Sequence, residues 1–132
     1  MPTRTIRQKA FFRGVAPVEL YDALLNARKH SAFTGAKATS VACVGGRFTA
    51  WDGYITGRHL ELEPGRRIVE EWRTTEWPAG APPSRVEWKF AAKRGGTEMS
   101  LIHSGVPASQ AASYRQGWIE YYWKPLKAYF AR

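Results

Sequence analysis

From Thr5 to Arg13 the chain alternates, with Ile6, Gln8, Ala10 and Phe12 on one face and Thr5, Arg7, Lys9, Phe11 and Arg13 on the other. A period of two over this length predicts a strand with its charged face outward. The period then changes. Pro17 suits the first position of a helix with Ala16 as N-cap, and Val15 and Leu20 are spaced as a hydrophobic staple. Glu19 would face the positive end of that helix dipole. Leu20, Tyr21, Leu24 and Leu25 supply the apolar stripe of a short helix ending near Asn26. Arg28 to Phe33 adds another helical turn, stopped by Gly35.

Between Ala38 and Ser104, turn signals recur at strand spacing: Gly45-Gly46, Asp52-Gly53, Pro64-Gly65, the stretch from Ala79 to Pro83, and Gly95-Gly96. The segments VACV, GRFTAW, YITGRHLEL, RRIVEEWRTT, RVEWKFAA and TEMSLIHS lie between them and read as consecutive antiparallel strands joined by hairpins. After Pro107 comes one long helix with Ser109 as N-cap. Its stripe is Ala111, Tyr114, Trp118, Tyr121, Tyr122, Pro125 and Tyr129. Pro125 cannot donate to the Tyr121 carbonyl, so an irregularity is expected there. The whole predicts an α+β fold. A curved antiparallel sheet of about seven strands wraps around a long C-terminal helix, with two short helices after the first strand.

Composition narrows the classes. The 132 residues suit a single domain. Six tryptophans supply rings for a core or for the walls of a ligand cavity. The formal charge of +9 favours acidic partners, but the excess is scattered. It is densest at Arg4, Arg7, Lys9 and Arg13, the candidate partner-binding surface, and no nucleic-acid-binding signature accompanies it. No stretch is apolar enough for a membrane span and no leader is visible, so neither a membrane nor a nucleic-acid partner is expected and the cytoplasm is the default. The single Cys43 excludes an internal disulfide and is expected to be buried and inert.

Candidate chemistry is sparse. His30, His59 and His103 lack ligand spacing, so no metal is expected, and no phosphate or dinucleotide loop implies a cofactor. On the strand around Glu70, the residues Ile68, Glu70, Trp72 and Thr74 share one face. If that face points inward, Glu70 enters the interior, where His103 could meet it. Alternatively it lies near a strand end, cross-strand from Arg58. Trp72, Trp88, Trp118 and Tyr121 follow the buried periodicity. With Glu70, His103 and Tyr114 they form the candidate lining of a cavity between sheet and last helix. Trp51, Phe11 and Trp123 fit the stripes less well and are candidates for an exposed contact surface. No catalytic residue is assigned, and the expectation is a protein that is not an enzyme. An enzyme using Glu70 or His103 is the third reading.

The segments GGRFTAWDGYITG, LEPGRRIVEEWRTTEWP and RQGWIEYYWKPLKAYF, in this order and spacing, resemble the C-terminal domain of the heat-shock-protein-90 (Hsp90) ATPase activator family. That domain has the START-like, or helix-grip, fold of the SRPBCC superfamily. The resemblance implies that Gly46, Phe48, Gly53, Gly57, Ile68, Trp72, Arg73, Trp77, Pro78, Gly117, Trp118 and Tyr122 are structural signature positions. It implies a stress- or chaperone-linked protein-binding module whose partner is an Hsp90-type chaperone. The eukaryotic activators also carry a separate N-terminal domain, and the chain is expected to be a single-domain, bacterial-type relative of the START-like part. The START-like fold equally implies a carrier or sensor of a small hydrophobic ligand held in the cavity.

Overall fold

The computed structural model describes residues 2–131. Strand β1 (Thr3–Arg13) is followed by helices α1 (Pro17–Leu25) and α2 (Ala27–Thr34). Then come β2 (Thr39–Ser40), β3 (Arg47–Ala50), β4 (Ile55–Glu63), β5 (Arg67–Thr74), β6 (Ser84–Lys93) and β7 (Gly96–Pro107). The sheet is antiparallel in the order β1-β7-β6-β5-β4-β3-β2, so the first strand closes one edge beside the last. The architecture is the expected α+β helix grip.

The start of α1 follows its sequence signals. Ala16 is the N-cap with extended backbone, and its N–H donates to Glu19 Oε2 at 2.8 Å. Val15 and Leu20 are both buried, as a staple requires. Helix α2 ends on Gly35 in the left-handed conformation. VACV departs from its expected strand. Pairing with β3 stops at Ser40, and the chain turns around Gly45, whose N–H bonds the His59 carbonyl at 2.7 Å. Val41, Cys43 and Val44 therefore meet no second layer and are exposed, so Cys43 is not the buried thiol expected.

The C-terminal helix begins with a 3-10 turn at Ala108–Gln110, which displaces Ser109 from the N-cap position, and continues as α3 (Ala111–Trp118). A π turn spans Ile119–Trp123, and α4 (Lys124–Phe130) completes it. The irregularity that Pro125 predicts thus takes the form of a π turn. The Lys124 N–H reaches back five residues to the Ile119 carbonyl, and the shift accommodates a ring that cannot accept a regular α-turn.

Inward residues of the sheet, among them Ile6, Ile68, Trp72, Val86, Trp88 and Leu101, pack under Tyr114, Trp118, Tyr122 and Leu126 of that helix. Trp123 belongs here rather than to an exposed surface. It is buried against Trp88, with ring centroids 5.7 Å apart, and its N–H donates to Gln8 Oε1 at 2.7 Å. Trp77 is buried and donates to the Pro82 carbonyl at 2.9 Å, closing the loop after β5. Arg7, Lys9 and Arg13 project from the convex face, away from the helix. Arg4 is also exposed, near the start of β1 and beyond a register irregularity that separates it from Ile6.

Candidate functional site

A cleft of about 520 Å³ opens between the C-terminal helix and the β3–β4 end of the sheet. Trp72 of β5 and Ile55 of β4 supply its floor, and Tyr114, Gly117, Trp118, Tyr121 and Tyr122 line it from the helix. Trp51 and Tyr54, in the turn between β3 and β4, complete it. No side chain that is charged at neutral pH lines it.

Each wall is held by identifiable interactions. His103 is fully buried and accepts the Trp118 indole N–H at Nδ1 (3.1 Å). This leaves the proton on Nε2, which donates to Ser84 Oγ at 2.8 Å, while the Ser84 hydroxyl donates to the Trp72 carbonyl at 2.7 Å. Burial pushes the His103 imidazole down to about 3, so it stays neutral. The ring is 4.6 Å from that of Trp72. The Tyr114 hydroxyl donates to Gln110 Oε1 (2.6 Å) and lies 2.7 Å from Thr74 Oγ1. Burial pushes Tyr114 up to about 12.

Several walls violate local preference. Trp51 and Asp52 both have positive φ, 53° and 57°, a conformation that costs a bulky residue about 1–3 kcal/mol. The turn is tied down by Asp52, whose N–H donates to the Lys37 carbonyl and whose carboxylate accepts the Lys37 N–H. Trp51 meets Tyr121 edge-on at 5.3 Å. Tyr121 sits within the π turn and is 56% exposed, so it forms the mouth of the cleft and not part of the buried stripe. Gly117 lies inside α3, where glycine is about 1 kcal/mol worse than alanine. A Cβ there would meet only Tyr121 Cδ2, at 3.9 Å.

Beside the cleft lies a second, closed pocket of about 20 Å³, room for one water molecule. His30, Ser40, His59, Glu70, Trp88 and Tyr122 are among its walls. Glu70 does point inward with Ile68 and Trp72, but its partner is neither His103 nor Arg58. Register places it opposite His59, and Oε2 lies 3.3 Å from His59 Nδ1. Arg58 instead faces Glu71, at 3.6 Å. His59 Nδ1 is buried and makes no aligned hydrogen bond, whereas Nε2 lies 3.1 Å from Ser40 Oγ. Burial pushes the Glu70 carboxyl above the usual carboxylate range, against the opposing pull of His59 and the Trp88 indole. Close by, His30 Nδ1 is 3.0 Å from the Leu24 carbonyl and must donate to it, so Nε2 accepts from the Tyr122 hydroxyl at 2.9 Å. Burial lowers His30 to about 4.

The structure thus brings Trp72, Tyr114, Trp118 and Tyr121 together around the cleft. Glu70 and Trp88 fall in the polar pocket, and His103 lines neither, bracing Trp72 and Trp118 from behind. Sequence reasoning missed Tyr54, Ile55, Gly117 and Tyr122 as lining residues and His59 as the partner of Glu70, and Trp51, expected on an exposed contact surface, is half-buried in the cleft wall. Asp52-Gly53 marked the turn without revealing what its flanking rings face. Strand alternation alone cannot supply a cross-strand register. Among the described residues no group of three His, Cys, Asp or Glu side chains is arranged to hold a metal ion. Among the described residues no helix is long and apolar enough to cross a membrane.

Residues 15–131 match the family described as Activator of Hsp90 ATPase homolog 1-like protein. The human activator of 90 kDa heat shock protein ATPase homolog 1 is 36% identical over 98% of the chain, and the Dictyostelium discoideum homologue is 31% identical over 88%. The chain covers 38% and 30% of those two proteins, so it spans well under half the length of the curated relatives it matches. Among solved structures, an HSP90 activator from Plasmodium falciparum superposes with a TM-score of 0.85 at 23% identity, over 98% of this chain and 96% of that one. A protein from Chromobacterium violaceum does so with a TM-score of 0.74 at 26% identity, over 97% of each chain. With the family matched over residues 15–131 and 36% identity to the human activator over 98% of the chain, the chain belongs to the Activator of Hsp90 ATPase homolog 1-like protein family.

Proposed function

We propose that the chain is a non-enzymatic, chaperone-linked binding module that docks on an Hsp90-type chaperone in the cytoplasm through the convex face of its sheet. The observation that carries this reading is the family match over residues 15–131, with 36% identity to the human activator. The distribution of charge supports it. Arg7, Lys9 and Arg13 on β1 are exposed on the face opposite the helix, and exposed Lys89 and Lys93 on β6 share it. Phe11, 40% exposed, stands among the β1 charges. Basic residues around an exposed ring suit an acidic protein surface, steering the encounter while the ring supplies apolar contact.

The experiment is a titration of the purified chain into the Hsp90 homologue of its own organism, read by calorimetry and by the chaperone's ATPase rate. Reversing Arg7, Lys9 and Arg13 to Glu should weaken binding by tenfold or more and flatten its dependence on salt. Failure of the wild-type chain both to bind and to change the ATPase rate overturns the reading.

A further inference from the structure

We infer that the convex face carries a binding site for a small phosphate monoester, held by the guanidinium groups of Arg47 and Arg58 and the hydroxyls of Thr49 and Thr56. This does not depend on the chaperone reading. The cluster reversed in the chaperone experiment is on β1, whereas this site is on β3 and β4, toward the other end of the strand order.

Strand register builds the site. Arg47 lies directly opposite Arg58, and Thr49 opposite Thr56. The His59 N–H donates to the Gly46 carbonyl at 2.9 Å, which makes Arg47 and Arg58 a non-hydrogen-bonded pair, the kind whose side chains stand closest. Thr49 and Thr56, two residues along each strand, form the next such pair on the same face. Between the two pairs, Phe48 turns its buried ring to the concave side, close over Gly57, where a Cβ would lie 2.6 Å from it. The backbone of Phe48 and Gly57 is thus the floor of a surface hollow of about 310 Å³, with the two arginines and two threonines around it. Glu71 closes the β5 side, its Oε2 3.6 Å from Arg58 Nη2, and Arg73 stands exposed opposite Thr56.

The arrangement works against the sheet that carries it. Like charges directly opposite one another destabilise a strand pair, and among the described residues neither the Arg47 nor the Arg73 guanidinium has a hydrogen-bond or ion-pair partner. A local conflict that the fold sustains without compensation points to a functional site. The chemistry of the occupant follows from the charges. Three guanidiniums, of Arg47, Arg58 and Arg73, against the one carboxylate of Glu71 leave two positive charges uncompensated. A phosphate monoester carries about −1.5 to −2 at neutral pH. The cations are all arginines, whose planar forks pair with tetrahedral oxyanions through two parallel bonds. When Thr39 donates in its 2.8 Å bond to Thr49, both threonine hydroxyls of the site can donate to the remaining oxygens. A hollow of about 310 Å³ lies at the lower end of small-molecule sites, which suits an ester of one ring or a few carbons.

The test titrates the chain with phenyl phosphate in about 0.1 M NaCl, which screens the distant charges, and reads binding by calorimetry and by the thermal midpoint. The expected result is saturable one-to-one binding that raises the midpoint. Phenyl sulfate, with the same ring and a tetrahedral head of single charge, should bind at least about tenfold more weakly. Arg47→Gln and Arg58→Gln should each weaken phenyl phosphate about tenfold or more. Arg94→Gln, which removes the same charge from the distant β6–β7 turn, should leave it within about twofold. Arg47→Gln also relieves the like-charge pair, so its midpoint without ligand should equal or exceed that of the wild type. The inference is overturned if phenyl phosphate does not saturate, if phenyl sulfate binds as tightly, or if Arg47→Gln lowers the unliganded midpoint, which would make Arg47 a structural contact. It is overturned equally if Arg94→Gln weakens binding as much as the other two variants, since net charge alone would then be the cause. A phosphoserine heptapeptide of otherwise uncharged residues that binds at least about tenfold more tightly than phenyl phosphate would overturn it as well, because the ligand would then be a segment of a protein.

Discussion

Two buried histidines under the same helix, His103 and His59, are treated in opposite ways. Each is almost inaccessible, and each lies on a strand beside a tryptophan of the concave face. His103 has a partner for both ring nitrogens, an indole N–H on one side and a serine hydroxyl on the other, and the chain of bonds ends on a backbone carbonyl. His59 has a hydroxyl at Nε2 and a carboxylate at Nδ1 that is close enough to attract but poorly aligned for a hydrogen bond. The difference lies in the cross-strand neighbours. A serine diagonal to His103 on β6 completes a neutral network, whereas Glu70 directly opposite His59 brings an ionisable group into the interior. Burial alone therefore does not mark a functional histidine. A saturated network behaves as a strut, whereas the Glu70 carboxyl, buried beside an incompletely bonded imidazole, is held above the usual carboxylate range.

The comparison is broken most strongly by removing the strut. His103→Ala leaves a cavity and frees the Trp118 N–H, so it should destabilise the fold by about 3–4 kcal/mol in urea denaturation at pH 7. Its pH dependence separates this from simple loss of packing. Burial lowers the folded-state pKa to about 3 from the ordinary imidazole value of 6.5. At pH 7 both folded and unfolded forms are neutral, so nothing is lost there. As pH falls below 6.5 only the unfolded chain takes up the proton, and stability declines until the folded group titrates near 3. Between pH 7 and pH 4.5 His103 should account for about 3 kcal/mol of lost wild-type stability. The alanine variant should lack that portion of the slope, and an unchanged slope would contradict the assignment of a buried neutral imidazole.

Glu70→Gln probes the other partner. Its folded-state pKa is raised, so the group's contribution is fully present below the ordinary carboxylate range and is lost as pH rises through the folded value. Glutamine carries no charge to desolvate, and its amide can meet His59 Nδ1. Relative to wild type, the variant should gain about 1 kcal/mol on going from pH 4 to pH 8, the size expected for a buried polar group that lacks full partners. A difference that stays flat with pH would mean that Glu70 is solvated in the folded protein.

These contrasts show how far sequence reading reached. Alternation on β5 put Glu70 and Trp72 on one face, and with Ile68 buried that face points inward, so the alternative of a strand-end Glu70 paired with Arg58 fails. It could not name His59, since the irregularity between His59 and Glu61 sets the β4–β5 register and leaves no signature in composition. The helical stripe identified Tyr114, Trp118 and Tyr122, but it put Tyr121 inside because a regular 3.6-residue period ignores the π turn. VACV was apolar enough for a strand and became a turn, because the strand beside it ends and nothing covers its side chains. The cleft was the least legible feature. It depends on the empty space beside Gly117 and the left-handed backbone of Trp51, and neither can be counted in a sequence.

Gly117 offers the smallest and most discriminating effect. If the glycine were needed for close helix packing, any side chain would clash and destabilise the fold. A Cβ would instead make only one ordinary contact, 3.9 Å from Tyr121 Cδ2, in a backbone conformation open to every residue. Gly117→Ala should therefore stabilise the protein by about 0.4–1 kcal/mol, chiefly by restricting the unfolded chain. Chemical denaturation should show a higher midpoint with an unchanged slope. A methyl group occupies little of a 520 Å³ cleft, so the cleft should stay open in this variant. A loss of stability in Gly117→Ala would show that the helix requires glycine there for packing, and the open cleft would then be a by-product of that requirement.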